Sequence, residues 1–128
     1  MKLGYVIIYV ADVAATVAFY EQAFGLKRRF VHEAGQYAEM ETGATALAFV
    51  QEDFAASNGL AFRTNRGSEP PAGAEVGLVS ADVAASFKTA IAAGAVCVVA
   101  PMQKPWGQTV SYVKDCNGVL VEICSAMG

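Results

Sequence analysis

Histidine is nearly absent from this chain. His32 is the only one, so a site built on clustered imidazoles is excluded. Charge is thin as well: nine Lys and Arg stand against twelve Asp and Glu, a formal net charge of −3. Apart from Lys27-Arg28-Arg29 the basic residues are scattered, and without a basic stripe to follow phosphates nucleic acid is not an expected partner. Cysteines number three (Cys97, Cys116, Cys124), an odd count with no CxxC spacing, and read as reduced thiols of a cytoplasmic protein. No apolar run approaches the ~18 residues of a membrane span. The opening MKLGYVIIYV is soon broken by Asp12, and its alternation suits a strand better than a leader peptide. No Ser-His-Asp spacing and no glycine-rich phosphate loop occurs.

What is present is an apolar chain, 55% hydrophobic over 128 residues, enough for one domain with a real core. It says one thing twice: ADVAAT at 11–16 returns as ADVAAS at 81–86. The surrounding grammar repeats too. LGYVIIYV alternates as a strand does, Asp12 stands where an N-cap would, and Val13, Val17, Tyr20 and Phe24 form a helical stripe that Gly25 ends. In the second copy AEVGLVS is followed by Asp82, a stripe of Val83, Phe87 and Ile91, and Gly94. Three further β segments follow each helix. They are LKRRFVHE, QYAEMETG and ATALAFVQ in the first half, and AVCVVA, QTVSYVKDCNG and VLVEICS in the second.

The expected fold is therefore α+β: two tandem βαβββ modules, residues 1–51 and 74–128, within a single domain spanning 1–128. A polar segment, 52–73, broken by Ser57-Asn58-Gly59 and Pro70-Pro71, links them. One module has a helix on one face of its sheet and nothing on the other. Two could curl their bare faces into a mostly antiparallel sheet around a shared cavity, helices outside.

Period-two alternation then picks the bare-face residues. On the first strand Tyr5, Ile7 and Tyr9 face away from the helix; on its counterpart Glu75, Gly77 and Val79 do so; on the last strand Leu120, Glu122 and Cys124. Aligning Gly43 with Gly118, an offset of seventy-five, pairs Tyr37 with Tyr112 and puts Leu47 in the place of Glu122. The four repeat-related positions become Tyr5, Leu47, Glu75 and Glu122.

The opening ADVAATVAFYEQAFGL resembles the "D…S…FY…LG" start of the vicinal oxygen chelate superfamily, which includes glyoxalases, extradiol dioxygenases and bleomycin-resistance proteins. KDCNGVLVEI resembles its closing "DPDG…EI" segment, and PWGQ at 105–108 is similar to a segment of the bleomycin-resistance-like branch. In metal-dependent members one ligand comes from each first strand and one from each fourth strand. Carried over, these places hold Tyr5, Leu47, Glu75 and Glu122. Leu cannot ligate and a neutral Tyr ligates poorly, so no cofactor is expected and a divalent metal, with Glu75 and Glu122 its only carboxylate ligands, is disfavoured.

Two functions follow as expectations. One is a metal-free binder that sequesters a small aromatic or cationic molecule such as an antibiotic, through Tyr5, Tyr9, Leu47, Glu75, Trp106, Tyr112 and Glu122. The other is a glyoxalase-like lyase or isomerase using Glu122 as base or ion ligand, with Glu75. Each residue also has a plainer role: tyrosines are ordinary strand residues, and Trp106 is equally suited to packing on a rim. A homodimer is the expected assembly, by resemblance and because apolar bare faces need covering.

Overall fold

A computed structural model describes residues 1–127. In chain order the elements are β1 (Tyr5–Val10), α1 (Val13–Phe24), β2 (Lys27–Val31), β3 (Tyr37–Glu41), β4 (Ala46–Gln51), α2 (Glu52–Ser57), β5 (Glu75–Val79), α3 (Val83–Ala92), β6 (Val96–Gln103), β7 (Thr109–Lys114) and β8 (Leu120–Cys124). The strands form two four-stranded sheets of the same topology, β1-β4-β3-β2 and β5-β8-β7-β6. In each, the first strand runs parallel to the fourth and the other pairings are antiparallel. Two compact units result: Met1–Glu21 with Gly25–Thr64, and Gln22–Phe24 with the chain from Asn65 onward.

Both first helices start as the sequence predicts. The carboxylates of Asp12 and Asp82 accept from the amides of Ala15 and Ala85, each at 3.0 Å, and so satisfy donors that a helix start leaves free. Gly25 ends α1 in the left-handed conformation. In the first unit Val13, Val17 and Tyr20 are fully buried, and the Tyr20 ring lies 4.9 Å from that of Phe49 on β4. Phe49 therefore faces the helix, and Val10 and Met40 complete that core. In the second unit α3 lies across β6, β7 and β8. Its Val83 and Ala90 are buried, as are Val113, Val121 and Ile123 of the sheet.

The polar link opens with a helix that composition conceals. Gln51 accepts from the amide of Phe54 at 3.2 Å, and Glu52 and Asp53 supply negative charge to the first turn of α2.

The register corrects one expectation. Leu47 pairs with Val6 and Met40, and two residues on Phe49 pairs with Ile8 and Ala38, so Leu47 shares the helix-side face of Phe49. Ala48, paired with Ile7 and Glu39, points to the helix-free side. The reason lies in the turns: four residues (42–45) join β3 to β4, whereas five (115–119) join β7 to β8. Matching the two turn glycines thus misplaces the strands after them by one residue, and one residue inverts a strand. By register Ala48 is the counterpart of Glu122, and Glu39, not Tyr37, is the counterpart of Tyr112.

Candidate ligand-binding face

The helix-free face of the second unit is a grid. One row holds Glu75, Leu120 and Lys114; the next holds Gly77, Glu122, Tyr112 and Val99; the third holds Val79, Cys124, Val110 and Met102. The centre is polar. Tyr112 donates its hydroxyl proton to Glu122 Oε1 at 3.0 Å. That bond commits the phenol proton and leaves only lone pairs on the tyrosine oxygen for a ligand. The other carboxylate oxygen, Oε2, lies beside Gly77, where a Cβ would come within 3.7 Å of it. A glycine at this place leaves room over the carboxylate that any side chain would fill.

Glu75 sits diagonally from Glu122, and its acidity reports the neighbour. Its pKa is raised, first by desolvation and then by the charge of Glu122, since like charges resist ionising together. The same carboxylate holds the Tyr112 phenol above its usual range, chiefly through their hydrogen bond. Burial and then Glu122 push the Cys124 thiol up, so it is an inert sulfhydryl. Neither Glu75 nor Glu122 forms an ion pair, whereas Glu21, Glu39 and Glu41 of the first unit each pair with an arginine.

Trp106 occupies the β6–β7 hairpin. Gly107 donates its amide to the Lys104 carbonyl at 2.8 Å and carries φ +94°. The indole N–H donates to Gln108 Oε1 at 2.9 Å, and Gln108 Nε2 donates to the Ser125 carbonyl at 2.9 Å, next to Cys124 on the chain. The ring is thus tethered to the end of β8 while remaining 65% exposed.

The helix-free face of the first unit carries Tyr5, Ile7 and Tyr9 on β1, Ala46, Ala48 and Val50 on β4, and Tyr37 and Glu39 on β3. Tyr5 is 57% exposed. Tyr9 packs edge-on against Phe62, the ring centroids 4.7 Å apart. Glu39 was not among the residues that the sequence singled out, although the alternation of Tyr37, Glu39 and Glu41 against Ala38 and Met40 would have found it. Its side chain is only 10% exposed. Glu39 Oε2 accepts from the Tyr37 hydroxyl at 2.7 Å and Oε1 from Arg29 at 3.2 Å. Arg29, at a bulge in β2, also binds both oxygens of Glu41, at 2.7 and 2.9 Å, and the Gly43 carbonyl at 3.1 Å. Glu41 is held below the usual carboxylate range by this guanidinium, and burial followed by the Glu39 contact keeps Tyr37 a phenol.

Of the residues expected in a site, the second unit brings Glu75, Tyr112 and Glu122 together on one face. Tyr5 and Tyr9 share the corresponding face of the first unit, and Leu47 is turned away from it. His32 lies outside these groups, in the β2–β3 hairpin, where its Nδ1 accepts from the Ala34 amide at 3.1 Å. Among the described residues no group of three or more His, Cys, Asp or Glu is placed to hold a metal ion.

Residues 2–123 match the model of the Glyoxalase/Bleomycin resistance protein/Dioxygenase superfamily. No curated protein matches the chain significantly. Solved structures do. A glyoxalase-related enzyme from Fulvimarina pelagi superposes with a TM-score of 0.83 at 19% identity, over 98% of this chain and 88% of that one. A glyoxalase/bleomycin resistance protein/dioxygenase family enzyme from Burkholderia phytofirmans PsJN gives 0.77 at 20% identity, over 99% and 100%. TioX from Micromonospora sp. ML1 gives 0.72 at 23%, over 98% of each chain. At these identities the likeness is one of fold.

Proposed function

The chain belongs to the Glyoxalase/Bleomycin resistance protein/Dioxygenase superfamily, and from that premise we propose that it is a binding protein for a small cationic molecule bearing a ring. The cationic group sits against Glu122 and Glu75 on the helix-free face of the second unit. The observation that supports this reading is the pair of carboxylates itself: they lie close enough for one to raise the pKa of the other, yet no basic side chain neutralises either. Two like charges held this near each other repel, and a bound cation relieves that repulsion. Tyr112 fixes the rotamer of Glu122 through its hydrogen bond, so a ligand meets an acceptor already oriented. Gly77 leaves the approach to Oε2 open. The exposed indole of Trp106, its N–H already satisfied by Gln108, offers only its π-face, which suits a planar ring or a cation.

Benzamidinium and its neutral isostere benzamide test this reading. The intrinsic fluorescence of Trp106, the only tryptophan, reports binding near the hairpin, and calorimetry gives the affinity. Benzamidinium is expected to bind at least about tenfold more tightly than benzamide, a difference of about 1.4 kcal/mol. Glu122→Gln is expected to abolish the preference. Equal binding of the two probes, or a preference that survives Glu122→Gln, overturns the reading.

A further inference from the structure

The ligand places that the family resemblance assigns fall, by register, on Tyr5 and Ala48 in the first unit and on Glu75 and Glu122 in the second. These residues do not fit a divalent ion. Ala48 has no donor atom, and a neutral phenol such as Tyr5 is a poor ligand. The first unit does hold a carboxylate next to Ala48, because Glu39 is its cross-strand partner. That carboxylate is already engaged by Arg29 on one oxygen and by Tyr37 on the other.

The surroundings of Arg29 are those of a bound cation. Its guanidinium contacts four oxygens: Glu39 Oε1, both carboxylate oxygens of Glu41, and the Gly43 carbonyl. Carboxylate and carbonyl oxygens are the ligands that hard divalent ions take. Unlike an ion, however, an arginine is covalently part of the chain, is always charged, and cannot be removed by a chelator. The second unit has no equivalent. The place of Arg29 is taken by Val98: Cys97 and Val99 pair with Val113 and Tyr112 across a bulge in β6, as Arg28 and Phe30 pair with Met40 and Glu39 across the bulge in β2.

We propose that Arg29 is a resident cation that neutralises the carboxylates of the first unit, and that the chain, with Tyr5 and Ala48 in the first unit's two ligand places, takes no divalent ion where its metal-dependent relatives do. This goes beyond the binding reading above and does not depend on it, since an organic cation at Glu122 is measured separately.

Equilibrium dialysis of the chelator-treated full chain against Mn²⁺ and against Zn²⁺ is the first test. The expected result is far less than one ion per chain. One ion per chain that disappears in Glu122→Gln overturns the proposal, whether or not benzamidinium binds. The second test replaces the cation. Arg29→Met leaves Glu39, Glu41 and Gly43 O without a counter-charge, so its melting temperature is expected to drop and to recover in millimolar Ca²⁺, while the native chain does not respond. A folded Arg29→Met protein that is indifferent to Ca²⁺ overturns the proposed role of Arg29. Should that variant not fold, Arg29→Lys keeps the charge and loses the fork. It is then expected to fold with a melting point below the native one and no Ca²⁺ response, and a Ca²⁺-dependent rise counts against the resident-cation assignment.

Discussion

The two units have the same strand order and the same helix cap, yet they treat the carboxylates on their helix-free faces in opposite ways. In the first, Glu39 and Glu41 share one arginine, and Glu39 also accepts from the Tyr37 hydroxyl. In the second, Glu122 accepts from the Tyr112 hydroxyl, and Glu75 stands exposed with no ion pair. A carboxylate with internal partners is part of the architecture; one without them can exchange water for a ligand. The chain holds two copies of a scaffold, and a few side chains on β2, β3 and β8 decide which copy has its carboxylates ion-paired and which does not.

The strongest way to test that comparison is at the paired turns. Gly43 and Gly118 both have positive φ, but only Gly118 also lies against backbone, where an added Cβ would collide with Arg66 and Gly67. Gly118→Ala is expected to cost about 3 kcal/mol, combining αL strain with backbone displacement, and Gly43→Ala about 1 kcal/mol. Urea midpoints at constant m-value measure both. Equal costs would mean that the strap at residues 66–67 yields easily.

Next come the two glutamates. Glu39→Gln removes a charge-assisted bond from a buried group and should destabilise the chain by about 2 kcal/mol. Glu122→Gln, with no counter-charge to lose, should stay within about 0.5 kcal/mol while losing cation affinity. If Glu122→Gln were the more damaging of the two, Glu122 would be architectural and the contrast between the units would vanish.

A third, smaller effect concerns pH. Glu41 has its folded pKa lowered by Arg29, so it contributes stability above its unfolded pKa, and that contribution is lost as pH falls through the lowered value. Glu75 is raised, so the folded state holds its proton longer, and stability declines as pH climbs from the unfolded pKa through the raised folded one. Glu41→Gln should therefore flatten the acid limb of a plot of melting temperature against pH. Glu75→Gln should instead raise the melting temperature above that window by about 1–2 °C. Shifts of the same sign in both variants would contradict the opposite environments.

The smallest effect on stability is expected at the hairpin. Trp106→Ala should change the unfolding free energy by no more than about 0.5 kcal/mol, because the indole is largely exposed. Benzamidinium affinity should nevertheless fall.

Much of this was legible in the chain. The repeat of ADVAA fixed both helix starts, because a capping aspartate works through atoms three residues away. The alternation on β1, β5 and β8 placed Tyr5, Glu75 and Glu122 on their faces for the same local reason. Leu47 and Glu39 were less accessible. The face that Leu47 occupies depends on the length of a turn, and the turn glycines of the two halves are not at equivalent distances from the strands they precede. Arg29 belongs to the run Lys27-Arg28-Arg29, in which nothing local sets it apart from its neighbours. Its partners are ten and twelve residues away, on a neighbouring strand, and only pairing with a bulge at that point brings the guanidinium over them.

Local periodicity, capping and duplication, which act over a few residues at a time, were determined by the sequence by itself: two βαβββ units with bare faces. Which carboxylate is neutralised and which is left without an ion pair was decided by strand register and a β-bulge, because these bring together charges that no short-range pattern relates.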